Sequence, residues 1–190
     1  MAGFSYFKSN HSMNPLFQAL KQTEKPKKTW DLAEITEIVT AHPEYLQDQD
    51  KNGQTPLHWA AAYQDNNPST PKEAEKILSV IKVLLDHTPT EHLKIRERQG
   101  STAFIWLCHN HNIKAARLFL ERDPGLVNIP DGQRNCPLGA AIFCSHEEDI
   151  VKNMVMLLLG YGAVLNKKNL QEIKKDRAWF LPLIPLGIQR

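Results

Sequence analysis

The sequence predicts an all-α solenoid of stacked antiparallel helix pairs, and three observations carry that expectation. A short start signal recurs four times: Asn14-Pro15-Leu16 with Ala19, Thr55-Pro56-Leu57 with Ala60, Thr102-Ala103-Phe104 after Gly100, and Cys136-Pro137-Leu138 with Ala141. Each copy is followed by a second apolar stretch at helical spacing that ends in a turn. The leucine position of the signal, held by Leu16, Leu57, Phe104 and Leu138, recurs after 41, 47 and 34 residues, the regularity of a repeat array with insertions in its first two units.

The second unit explains how each helix starts. Thr55 is a good N-cap, Pro56 is pre-set for the first helical position, and Leu57, Ala60 and Ala61 follow at helical spacing. His58 lies three residues after Thr55, where a side chain reaches back to the cap as in a capping box, so its expected role is structural. Gly53, with Asp50 and Asn52, suits a tight turn ahead of the cap. The second helices are read from Ile35-Ile38-Val39, from Val80-Ile81-Val83-Leu84-Leu85, from Ala115-Ala116-Leu118-Phe119-Leu120 and from Val155-Leu157-Leu158-Leu159. Polar, proline-bearing insertions around 23–28 and 65–72 are expected as surface loops between the two helices of their units, with a smaller excess at 147–149. The third unit departs most: Ala103 replaces the proline, Ile105 the capping histidine and Leu107 the small alanine, which predicts a lost cap and a bulkier, repacked core. Cys136 replaces the capping threonine of the fourth unit, a weak substitution.

The organisation expected is a cap segment over 1–12, a repeat domain over 13–168 in units of about 13–49, 50–96, 97–130 and 131–168, and a C-terminal cap helix with an apolar tail over 169–190. A solenoid needs such caps because an outer repeat exposes the face that inner repeats bury. The tail, Trp179 to Leu186, is interrupted by prolines and expected to run extended, folding back on the last repeat or docking a partner.

With 190 residues, 42% of them hydrophobic and 23% charged, the chain can bury a core spread along its length. A net charge of +2 and a pI near 8.4 lack the footprint of a nucleic-acid binder. Lys21, Lys25, Lys27 and Lys28 read as a solvated loop. Three cysteines at irregular spacing do not make a disulfide framework and suit a reducing compartment; the expected location is cytoplasmic. Neither an export signal nor a membrane span is legible, so no membrane partner is expected.

With those motifs in view the chain resembles the ankyrin repeat family. Asp50, Gly53, Thr55, Pro56, Leu57, His58, Ala60 and Ala61 match the first half of the family motif, and Leu157 to Leu159, Gly162, Ala163 and Asn166 match its second half. The resemblance covers residues 13 to 168, against a family period of about 33 residues. It implies β-hairpin-like loops projecting from one edge, and a non-catalytic scaffold, monomeric when unbound, that grips a partner protein with its hairpin tips and the concave surface of its first helices. The matching tip positions are Lys51, Asn52 and Gln54, then Arg98, Gln99 and Ser101, then Gly132, Gln133 and Asn135; the exposed first-helix positions are Tyr63, His109, Asn110 and Phe143. Tyr63, Arg98 and Phe143 stand out, because aromatic and arginine side chains supply most hot-spot energy. The divergence also makes the chain similar to ankyrin effectors that intracellular bacteria deliver into the host cytosol.

Enzyme chemistry is the competing class. Cys108, His109 and His111 lie together, with Cys136, Cys144 and His146 further on, but the paired short spacings of a zinc site are missing and no cofactor motif is present. A cysteine hydrolase would need Cys108 accessible with a histidine in reach, whereas Cys108 falls on an alanine position of the motif and adjacent residues on a helix face different ways, so no catalytic residue is assigned.

Overall fold

The computed structural model describes residues 14–21, 30–63, 71–144, 148–176 and 181–182. The expected N-terminal cap over 1–12, the insertions at 23–28 and 65–70, His146, Glu147, and the tail from Trp179 apart from Leu181 and Pro182 lie outside the described residues.

Four helix pairs follow one another: α1 (Pro15–Leu20) with α2 (Leu32–Ala41), α3 (Pro56–Ala62) with α4 (Pro71–His87), α5 (Ala103–His109) with α6 (Ile113–Arg122), and α7 (Pro137–Phe143) with α8 (Glu148–Gly160). A ninth helix, α9 (Lys167–Asp176), comes after them. First helices pack on first helices in the order α1, α3, α5, α7, and second helices on second helices in the order α2, α4, α6, α8. Among the described residues the architecture is helical without a named strand; the one isolated β-bridge pairs Arg96 with Thr102 at the neck of a hairpin. The second insertion is shorter than the composition suggested. Pro71 and Lys72 open α4, a 17-residue helix, because Pro at the first helical position and Glu73 in the first turn both favour a helix start there.

Sequence and packing agree along the stack. The recurring position of the start signal, Leu16, Leu57, Phe104 and Leu138, is buried in every unit. Ala60, Leu107 and Ala141 are buried one turn later, where a small residue lets neighbouring helices approach and Leu107 fills the wider space of the third unit. Burying each large side chain is worth about 1.5–3 kcal/mol, so the four equivalent positions together supply a substantial part of the core energy. A recurrent third element was not legible in the pattern. Single 3-10 turns, Pro43–Gln47, Thr90–Lys94 and Pro124–Asn128, follow the second helices and each drives one leucine, Leu46, Leu93 or Leu126, into the core.

The caps form as local chemistry dictates. Asn14 Oδ1 accepts from Phe17 N at 2.9 Å, Asp31 Oδ1 from Ala33 N at 2.9 Å, Asn112 Oδ1 from Ala115 N at 3.1 Å and Asn166 Oδ1 from Asn169 N at 2.8 Å.

Candidate functional site

The hairpins between repeats are built on one device. Asp50 Oδ1 accepts from the backbone N–H groups of Asn52 and Gln54 at 2.8 and 2.9 Å, and Asp131 Oδ1 from those of Gln133 and Asn135 at 2.9 and 2.7 Å. Glu97 does the same with two oxygens, Oε2 taking Gln99 N at 2.8 Å and Oε1 taking Ser101 N at 3.0 Å. Each acid stands five residues ahead of the next helix cap, Thr55, Thr102 or Cys136, a spacing that would have revealed Glu97 and Asp131 in the sequence beside Asp50. Backbone bonds then tie successive hairpins together: Arg98 N donates to Asn52 O at 2.9 Å and Gly132 N to Gln99 O at 3.1 Å. That contact explains Gly132, since a Cβ there would lie 2.2 Å from Gln99 O.

On this frame the expected tip residues divide into two groups. Lys51, Asn52, Arg98, Gln99 and Gln133 are exposed. Gln54, Ser101 and Asn135 are half-buried and serve the frame: Ser101 O accepts from His58, and Asn135 Nδ2 donates to Asp131 Oδ2 at 2.9 Å. The first-helix positions differ from expectation. His109 is exposed, but Tyr63, Asn110 and Phe143 are half-buried. Tyr63 packs on Trp30 with ring centroids 4.6 Å apart, because Trp30, buried with its Nε1–H donating to Leu20 O at 3.2 Å, brings an aromatic face under it. Asn110 Nδ2 donates to Ala61 O at 2.9 Å and so ties α5 to α3, while Phe143 packs against the core. Trp59 and Trp106 take the equivalent place in their units and are half-buried against the core; Trp59 Nε1 donates to Asp50 Oδ2 at 3.1 Å.

The capping histidine works as the sequence suggested and also bonds across a repeat boundary. His58 Nε2 lies 3.1 Å from Ser101 O, which only accepts, so Nε2 carries the proton and Nδ1 accepts from Thr55 N at 3.2 Å and Thr55 Oγ1 at 2.8 Å. Burial holds its pKa below the usual histidine value, which suits this neutral tautomer. In the third unit, where Ile105 replaces the histidine, Thr102 is fully buried and its Oγ1 has no hydrogen-bond partner among the described residues. Cys136 is a better cap than expected: its Sγ accepts from Gly139 N at 3.3 Å and donates to Asn169 Oδ1 at 3.1 Å.

The burial of Cys108 counts against an accessible nucleophile there. Cys108 is 0% exposed, and burial pushes its thiol well above the usual range. His109 is exposed, and His111 Nε2 lies 2.7 Å from Ala141 O. Among the described residues no group of three or more His, Cys, Asp or Glu side chains is placed to hold a metal ion, and no helix is long and apolar enough to cross a membrane.

Stacked two-helix units, short capped first helices and linked hairpins define a class of repeat scaffold, and comparison with known proteins agrees. The profile of the Ankyrin repeat family matches residues 52–91, which span α3, α4 and the hairpin before them. Rabankyrin-5 of Homo sapiens and Rabankyrin-5 of Mus musculus are each 28% identical to the chain over 123 residues. That alignment covers 65% of this chain and 9% of the length of either relative. Residues 52–91 thus carry an ankyrin repeat, and the chain is similar to ankyrin-repeat proteins, whose architecture supports protein interaction.

Proposed function

We propose that the chain is a non-catalytic binding scaffold that takes a partner protein across its hairpin tips and the open face of its first helices. One observation carries this reading: the hairpin backbones are locked to each other by Arg98 N to Asn52 O and Gly132 N to Gln99 O, while the side chains of Lys51, Asn52, Arg98, Gln99 and Gln133 remain exposed. Residues held in place without packing duty lose little entropy when a partner arrives, which favours affinity. Gln54, Ser101, Asn135, Asn110, Tyr63 and Phe143 set the shape of that surface and contact the partner at its floor, with His109 on the rim. The three cysteines, too irregularly spaced for a disulfide framework, suit a reducing, cytoplasmic setting.

The test uses neutral, exposed positions. Gln99→Ala/His109→Ala/Gln133→Ala keeps every bond of the frame described above. Proteins captured from lysate by the native chain should be recovered several-fold less by this variant; equal recovery of the same proteins would place the binding surface elsewhere.

A further inference from the structure

Charge is unevenly arranged along the hairpin edge. Lys51, Arg98 and Arg134 stand on the three successive hairpins, and Lys167 opens α9; all four are exposed, and their side chains make no hydrogen bond or ion pair among the described residues. Asn166 Nδ2 donates to Arg134 O at 2.6 Å, which brings the start of α9 against the third hairpin. The acids of the same hairpins are occupied differently. Asp50, Glu97 and Asp131 have carboxylate oxygens bonded to the N–H groups of their own turns, so their hydrogen-bonding capacity points into the protein.

We propose that this row of unpaired cations is a docking strip for an extended, acidic peptide segment of a partner protein. The inference rests on the protein-binding reading above and adds the chemistry of the ligand. Its strength is pre-organisation: the hairpins are already bonded to one another, so successive cations are presented together. Complementary charge at an interface rim sets encounter rate and partner choice, and its reach is limited to about 10 Å at 0.1 M salt. A nucleic acid is the poorer fit. Duplex DNA presents one charge per ~1.7 Å and rewards a dense basic face, whereas this chain carries a net charge of only +2 with the acids interleaved among the cations.

The probe is a fluorescent peptide of alternating Glu and Ala, titrated with the full chain and followed by anisotropy at low and at near-physiological salt. Lys51→Glu/Arg98→Glu should weaken binding by at least about tenfold, while Lys114→Glu/Arg117→Glu, an equal charge change on exposed positions of α6, should leave it near native. Arg134→Gly offers a second removal that the fold accepts, because residue 134 has a positive φ of 66° that glycine adopts freely; it too should weaken binding. The proposal is overturned if the two charge-reversed variants lose affinity equally, if the native chain does not bind the peptide, or if a single-stranded oligonucleotide or an anionic vesicle of matched charge binds more tightly. These outcomes leave the capture experiment above untouched, since that variant changes no charged side chain.

Discussion

The side chain of Asn169 fills the space that any side chain at Gly139 would need. A Cβ on Gly139 would sit 2.5 to 2.7 Å from the amide atoms of Asn169. Position 139 is the capping-histidine position of the fourth unit, and Asn169 takes over its task from the next helix: Cys136 N donates to Asn169 Oδ1 at 3.1 Å, as Thr55 N donates to His58 in the second unit. The last full repeat is thus capped in part by α9.

Two changes at this contact should therefore be coupled. Asn169→Ala strands the buried Cys136 N–H and should cost about 1–3 kcal/mol. Gly139→Ala should also destabilise the native chain, yet cost less in the Asn169→Ala background, where the space is free. A double-mutant cycle by urea unfolding checks this; strictly additive losses would refute the steric link.

Capping threonines in the second and third units should respond oppositely to the same substitution. Thr55→Val removes a hydroxyl bonded to His58 and should destabilise by about 1 kcal/mol. Thr102→Val removes a buried hydroxyl that has no partner, so it should be neutral or stabilising by up to about 1 kcal/mol. Denaturation midpoints of the two variants measured side by side decide it.

His58 should make stability pH-dependent in one direction. Burial lowers its native pKa from the ordinary 6.5. Above 6.5 it is neutral in both native and unfolded chains; below 6.5 the unfolded chain takes up a proton that the native site resists, so stability falls with pH until the native pKa is passed. The advantage of the native protein over His58→Gln should accordingly shrink between pH 7.5 and 5. An advantage that grew on acidification would contradict a neutral imidazole.

Glycine substitutions should separate a contact requirement from a mere absence of side chain. Gly132→Ala would drive Cβ to 2.2 Å from Gln99 O and pull adjacent hairpins apart, with a loss above about 1 kcal/mol. Gly160, at the end of α8, has nothing within 4 Å of its Cβ position, so Gly160→Ala should stabilise by up to about 1 kcal/mol. Thermal midpoints suffice to rank them.

The residues read correctly from sequence share one property: their partners are close in the chain. His58 reaches a cap three residues away, and Asp50 anchors a turn within four. Glu97 and Asp131 use that same local geometry, each five residues ahead of the next helix cap. Tyr63, exposed by its place in the motif, is half-buried in the fold. Its half-buried state depends on Trp30, which stands in another repeat and belongs to no motif.

The amino-acid sequence alone determined the repeated two-helix unit, its helix starts and the burial of Cys108, because caps, turns and helical periodicity arise between residues a few positions apart. Tertiary structure alone decided that Asn169 caps the fourth unit, that Tyr63 and Asn110 are tied inward, and that Lys51, Arg98 and Arg134 line one edge. Those relationships join residues some thirty or more positions apart, and they exist only once stacking has set each repeat against its neighbour.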